Sequence, residues 1–219
     1  MVKIIQFPRV REGSAEMSNL PTIQNGQVLW DEAFIKQHDV AGPRYTSYPT
    51  ALQFHEEFTC ADFERAINES NDSRRPLSLY IHLPFCQSLC YYCACNKVVT
   101  QNREKMRAYL DHLIQEIRMV SPLVGKARPV VQIHWGGGTP TYFDDSELTE
   151  LMYHLGRNFN IATGDRAELS VEIDPRTVNP ERMGLLRGLG FNRVSFGVQD
   201  FDLEVQKGIN RIQPLSMIN

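Results

Sequence analysis

The sequence predicts an α/β chain, a partial (β/α) barrel of four strand-helix units preceded by an irregular N-terminal segment, and three observations carry that reading. From residue 77 onward, four apolar-rich strands each end in an unusual polar or glycine motif. The first three are followed by long stretches with apolar residues at helical spacing. Each strand is apolar on one face only. Helical crossovers between successive strands require parallel pairing. Parallel strands covered on both faces read as apolar on both. One-sided strands therefore point to a curved sheet with helices outside and a polar lumen that holds a ligand in place of a packed core.

Residues 1–29 read as a loose extension, with Pro8, Gly13, Pro21 and Gly26 and no sustained periodicity; Met17 offers an alternative start. Trp30 to His38 fits a short helix. Gly42-Pro-Arg-Tyr-Thr-Ser-Tyr-Pro-Thr50 has the composition of a surface loop, which is the favoured reading. The functional alternative is a clamp, because Arg44 forks onto carboxylates and Tyr45 offers a flat face.

The strands are expected at Leu77–Pro84, Val130–Trp135, Leu169–Ile173 and Arg193–Gln199. Leu77, Leu79, Ile81 and Leu83 oppose Ser78, Tyr80 and His82; Val131, Ile133 and Trp135 oppose Gln132 and His134. Leu169, Val171 and Ile173 oppose Ser170, Glu172 and Asp174; Val194, Phe196 and Val198 oppose Ser195, Gly197 and Gln199. The first helix is expected over Arg103–Val120, with Met106, Leu110, Leu113, Ile117 and Val120 as its stripe. The second starts at Asp144 or Asp145 and carries Leu148, Leu151, Met152, Leu155 and Phe159. Asn179 caps the third, Pro180 opens it and Gly190 closes it. A fourth starts near Asp202, with Val205 and Ile209 inward.

A chain of 219 residues buries roughly 70% of its unfolded surface and needs no covalent staple. Cys86, Cys90, Cys93 and Cys95, four of its five cysteines, fall within ten residues, a pattern of chemistry rather than of a secreted disulfide framework. No apolar leader opens the chain and no run approaches a membrane span. A reducing cytoplasm is the expected compartment. The net charge of -3, with acids and bases interleaved, gives no basic stripe for nucleic acid.

Zinc, an iron-sulfur cluster and a disulfide pair all remain open for the four thiols. Structural zinc sites draw ligands from two separated knuckles, whereas Cys86, Cys90 and Cys93 line one side of a cluster as close-spaced ferredoxin runs do. Spacing favours the cluster, with Cys95 as an outsider and one iron left open. Sites in such barrels lie at the C-terminal strand ends. There the other motifs gather: Gly136-Gly-Gly-Thr-Pro140, which permits close backbone approach by a ligand, then Glu172-Ile-Asp174-Pro175, and Gln199-Asp200. Glu172 and Gln199 suit hydroxyls or an amine. Cys60 reads as a small core or surface residue.

Cys86-x-x-x-Cys90-x-x-Cys93 after a strand resembles the radical S-adenosylmethionine (radical SAM) signature. Within that superfamily, Gly42 to Ala51, Tyr80-Ile-His-Leu-Pro-Phe-Cys86, the added Cys95, His134 to Tyr142, Val171-Glu-Ile-Asp-Pro-Arg176 and Phe191 to Phe201 together resemble the oxygen-independent coproporphyrinogen III oxidases, from about Trp30 to Arg211. The resemblance implies a 4Fe-4S cluster on Cys86, Cys90 and Cys93, and S-adenosyl-L-methionine contacted by Tyr80, Tyr92, Gly137, Gly138, Thr139, Glu172, Gln199 and Arg211. Tyr80 and Cys95 are the catalytic candidates, and Arg44 and Tyr45 face substrate in an N-terminal substrate-side segment over 30–76. It also implies oxidative decarboxylation of two propionates of coproporphyrinogen III to the vinyl groups of protoporphyrinogen IX, a monomer at full length, and an electron donor and acceptor. A heme-binding chaperone of the superfamily is the competing class; those relatives lack the Cys95 thiol and the Arg44-Tyr-Thr-Ser-Tyr segment. Family members carry further strands and a C-terminal domain, so 77–219 is expected to be a partial barrel from a longer protein, with the edge of its fourth strand open.

Overall fold

The computed structural model describes residues 31–39 and 53–218, together with the backbone of three short strands nearer the N-terminus. The chain divides into two compact units, Met1–Gln6 with Cys60–Asn219, and Phe7–Thr59. In the larger unit β1 (Val2–Ile4), which falls within the stretch expected to be a loose extension, lies antiparallel to residues Leu79–Ile81. The smaller unit contains the antiparallel pair β2 (Ile23–Gln24) and β3 (Gln27–Val28) and the helix α1 (Glu32–His38), whose N-cap Asp31 accepts from the Phe34 amide. Arg44 and Tyr45 lie outside the described residues.

The larger unit continues with α2 (Cys60–Asp72), β4 (Leu77–Leu83), β5 (Phe85–Cys86), β6 (Val98–Val99), α3 (Arg103–Val120) and β7 (Pro129–Gly137). Next come α4 (Asp145–Asn158), β8 (Asn160–Ile161), β9 (Glu168–Ile173), α5 (Pro180–Gly188), β10 (Arg193–Phe196) and α6 (Leu203–Gly208). The sheet runs β1-β4-β7-β9-β10, with β8 also on β7. Apart from β1, its pairings are parallel, as the crossovers require.

One face of β4, β7 and β9 is sealed. Leu79, Ile81, Leu83, Ile133, Trp135 and Val171 have lost contact with water, and α3 and α4 lay Met106, Leu110, Ile117, Leu148, Leu151 and Leu155 over them. α3 has the expected stripe and is capped by Asn102. α4 begins on a capping box in which Asp144 accepts from the Glu147 amide and Glu147 returns the bond to the Asp144 amide.

Two details correct the sequence reading of the faces. Leu77 pairs with Val130 and Ser78 with Gln132, so Val131 is a bulge residue; Val130 takes the core position given to Val131. In α6 the inward residue is Gln206, and Val205 is 43% exposed. The fourth strand is also shorter than expected, and all four of its residues are exposed.

The opposite face is polar and in register. Ser78 donates to Gln132, which donates to Glu168, across β4, β7 and β9. One rung up, Tyr80 stacks on His134 at 5.8 Å, and the His134 ring meets Ser170 at 2.8 Å and Glu172 at 3.4 Å. α2 was not foreseen. Cys60 at its start is exposed, and the buried Arg128 ties the helix to the β7 entry through Ser70, Asn71 and the Arg75 carbonyl.

Candidate active site

At the C-terminal end of β4 the chain leaves the sheet through Pro84 and enters the cysteine loop. β5 and β6 pair in parallel, so residues 86–98 form a loop closed at its base. The Val98 amide donates to the Pro84 carbonyl at 2.8 Å and the Thr100 amide to the Cys86 carbonyl at 3.0 Å. The glycine run of β7 is stitched to the same base: Gly138 donates to Leu83 and Thr139 to Phe85, both at 2.9 Å. A Cβ on Gly138 would meet the Pro84 carbonyl oxygen at 2.5 Å, and Gly137 sits at φ +115 with the His82 ring against it. The close approach expected of this run thus serves the chain's own backbone, bringing the strand end against the cysteine loop.

A cavity of about 340 Å³ opens there. Cys86, Cys90, Cys93 and Cys95 line it together with Tyr92, Gly137, Gly138, Thr139, Glu172, Gln199 and Arg211, so residues from four strand ends and the segment after α6 share one space. Tyr80 is not among the lining residues. Its hydroxyl lies 3.0 Å from His82 Nδ1, and His82 Nε2 lies 2.9 Å from the Asn96 carbonyl. A carbonyl only accepts, so Nε2 carries the proton and Tyr80 donates to Nδ1. Burial, then the charge of Glu172 and Cys95, raises the Tyr80 pKa.

The thiols are not equivalent. Cys86 is half-buried, 3.4 Å from the Thr139 hydroxyl; burial raises its pKa, the Thr139 bond opposes this, and the neighbouring thiols add to the rise. Cys90 is buried, and the guanidiniums of Arg211 and Arg176 approach its sulfur at 3.6 and 3.7 Å. For Cys93, burial works upward, but hydrogen bonds from Cys95 and the nearby Lys97 outweigh it and lower the pKa. Cys95 is exposed, and burial of its thiol followed by the Cys93 contact raises its pKa. Lys97 also donates to the Cys93 carbonyl at 2.8 Å. Among the described residues, no three of His, Cys, Asp and Glu are gathered closely enough to hold a single ion.

Glu172 is held below the usual carboxylate range, chiefly by its bond to His134, with burial opposing and the Gly137 amide assisting at 3.2 Å. The Tyr92 pKa is raised by burial against the lowering charge of Arg211. Buried Asp174 binds Arg176 at 2.7 Å and Arg211 at 3.3 Å and accepts from Gln213 at 3.1 Å. Burial pushes its carboxyl up, and the bonds from Arg176 with the Arg211 charge outweigh that, so its pKa is lowered. The sequence gives no site role to Arg176 or Lys97, and Asp174 enters it only as part of the third strand-end motif. The Asp174-Pro175-Arg176 strand end was visible, but nothing in its spacing shows that Arg176 folds back onto Cys90.

The donor set fits an iron-sulfur cluster with a small polar ligand. It offers three thiols from one loop lining the cavity, a glycine segment lining it with them, and buried Arg211 Nε without a partner among the described residues.

A family model described as the radical SAM superfamily matches residues 80–218. Over 186 residues the chain is 50% identical to the oxygen-independent coproporphyrinogen III oxidase of Pseudomonas aeruginosa, covering 85% of this chain and 40% of that one. It is 51% identical over 149 residues to the protein of the same name from Mannheimia haemolytica, covering 68% of this chain and 99% of the relative. The solved structure of coproporphyrinogen III oxidase from Escherichia coli, described there as a radical SAM enzyme, superposes with TM-score 0.76 at 47% identity, over 88% of this chain and 42% of that one. The chain thus spans about 40% of the length of the first of these relatives. The fold agrees with these matches, and the chain belongs to the radical SAM superfamily, in the family of the oxygen-independent coproporphyrinogen III oxidases.

Proposed function

We propose that this chain supplies the cluster- and S-adenosylmethionine-binding part of an oxygen-independent oxidative decarboxylase of coproporphyrinogen III, working in tetrapyrrole biosynthesis in the cytoplasm. The observation that carries the reading is the shared cavity: Cys86, Cys90 and Cys93 share its wall with Glu172, Gln199 and Arg211.

Cys86, Cys90 and Cys93 would hold a 4Fe-4S cluster, and the cavity beside them would take the amino and carboxylate groups of S-adenosylmethionine. When bound, the pair supplies one-electron reduction and a carbon-centred oxidant able to take hydrogen from an unactivated propionate. The protein's part is to hold and to exclude. Thr139 steadies Cys86 at 3.4 Å. The Gly137 and Gly138 amides are already taken by Glu172 and Leu83, so these residues offer a ligand open surface rather than N–H donors. Ionised Glu172 accepts from an ammonium or a hydroxyl, Gln199 presents an amide, and Arg211 presents its buried guanidinium to a carboxylate. Tyr80 acts through His82 behind this wall, as a positioning group. Arg44 and Tyr45 are proposed to face the substrate carboxylates, and an unidentified electron donor and acceptor complete the redox balance. A monomer is the proposed state of the full-length protein.

The test is anaerobic reconstitution with iron and sulfide. The visible absorbance of a cluster is expected to disappear in Cys86→Ser, Cys90→Ser and Cys93→Ser and to persist in Cys95→Ser. Loss of the cluster in Cys95→Ser would overturn the three-ligand assignment.

A further inference from the structure

Cys90 differs from the other thiols in its company. Two guanidiniums converge on its sulfur, Arg211 at 3.6 Å and Arg176 at 3.7 Å, while Cys86 has one hydroxyl and Cys93 has its neighbour Cys95 and a single cation, Lys97. Both arginines belong to one clamp. Arg176 lays Nε and Nη2 along the Asp174 carboxylate at 3.0 and 2.7 Å, and Arg211 reaches the same carboxylate at 3.3 Å. The clamp is anchored in turn: Asp174 is 5% exposed at its side chain and accepts from Gln213, itself buried, and Arg211 donates to the Gly197 carbonyl at 2.7 Å. Arg176, gripped at the Asp174 carboxylate through two of its nitrogens, keeps an N–H directed at the sulfur instead of at water.

We propose that Arg176, locked by Asp174, sets the reduction potential of the cluster through Cys90. The inference rests on the cluster assignment made above and goes beyond it. Potentials of iron-sulfur centres follow net charge, hydrogen bonds to sulfur and exposure. One electron from a low-potential one-electron donor adds one negative charge to the cluster, with no bond made or broken. A fixed cation donating to a ligand sulfur stabilises that added charge more than it stabilises the oxidised form, because the interaction grows with the charge on the cluster. Arg176 thus makes reduction easier. Both arginines line the cavity, but Arg211, with its unpartnered Nε, is assigned above to the ligand, so Arg176 is the cleaner probe.

The experiment is an EPR-monitored redox titration of the reconstituted full chain with dithionite, comparing wild type, Arg176→Gln and Arg176→Lys at equal iron content and without S-adenosylmethionine. At the potential where half the wild-type cluster is reduced, Arg176→Gln is expected to show an about tenfold lower reduced-to-oxidised ratio, a shift of about 59 mV for one electron. Arg176→Lys keeps Asp174 paired but lacks the second N–H arm, and is expected to shift the same way by less. It decides the matter if Arg176→Gln takes up no iron. Wild-type potentials in an iron-loaded variant overturn the proposal and leave the cluster assignment standing. A wild-type chain that binds no iron overturns both.

Discussion

The first three strand-helix units and the fourth are built from the same elements and held by different forces. β4, β7 and β9 present a dry apolar face, closed by α3 and α4 with Leu79, Ile81, Ile133, Trp135 and Val171 fully buried. In the fourth unit the apolar residues face water: Phe196 is 46% exposed, Phe201 65% and Leu203 51%. Polar bonds hold it instead. Gln206 donates to the Asp200 and Gln213 carbonyls, the Gln213 amide returns a bond to Gln206, and Gln213 reaches Asp174. Asn210 adds a bond to the Leu89 carbonyl in the cysteine loop at 2.7 Å. Apolar burial contributes roughly 25 cal/mol per Å², whereas an exchanged hydrogen bond nets only about 1 kcal/mol. The fourth unit is therefore the weaker part, and it supplies Gln199 and Arg211. Stability resides in the first three units, and the completeness of the site depends on the fourth.

The sharpest way to break this contrast is from the core side. Trp135→Ala removes a fully buried ring packed edge-on against Phe191 at 4.8 Å. It is expected to cost about 3–5 kcal/mol in urea unfolding. A cost below about 1 kcal/mol would remove the basis for calling this region the stable one.

Asp174 lies on the boundary between the two regions and comes next. Asp174→Asn keeps the shape and removes the charge that pairs with Arg176 and Arg211; a loss of about 2 kcal/mol at neutral pH is expected. The sign of its pH dependence follows from its lowered pKa. A carboxyl whose folded pKa is depressed contributes stability that is fully present above the unfolded value of about 3.9 and lost as pH falls through the folded value. Between wild type and Asp174→Asn the stability difference should therefore narrow as pH falls below about 4. A difference independent of pH down to acid unfolding would show that the pairing contributes nothing.

The smallest effect belongs to α6. Val205→Ala changes an exposed side chain on the weakly held helix, and global stability is expected to stay within about 0.5 kcal/mol. A loss of 2 kcal/mol, read by the same urea unfolding, would mean that α6 buries this residue in solution.

Most of the fold was legible where one signal decided one element. The α3 stripe and the N-cap candidates Asp144 and Asp145 of α4 are local signals; the structure adds the Asn102 cap and the return bond from Glu147 that completes a capping box. Alternation assigned the faces of β4 and β9. It failed at Val131, because a bulge is a property of two strands in register and only the pairing of Leu77 with Val130 and Ser78 with Gln132 reveals it. It failed again at Val205, since apolar periodicity assumes an apolar surface to meet and α6 docks through Gln206. In the site, nine residues named by the cysteine spacing and strand-end motifs, and Tyr92 and Arg211 named only through the family resemblance, line one cavity. Tyr80 stands behind that wall because its alternation puts it on the polar face but not at the rim. Arg176 escaped notice for a similar reason: its role depends on a fold-back to Cys90, 86 residues away in sequence.

The most direct test of a site completed by its weakest unit is hydrogen exchange on the anaerobically reconstituted chain, with and without S-adenosylmethionine. Amides of residues 197–213 are expected to exchange fast without it and to gain at least tenfold protection with it, while those of β4 and β7 remain slow and unchanged. Equal exchange of residues 197–213 in both states, with the cluster present and the ligand bound, would contradict the assignment of Gln199 and Arg211 to the cofactor.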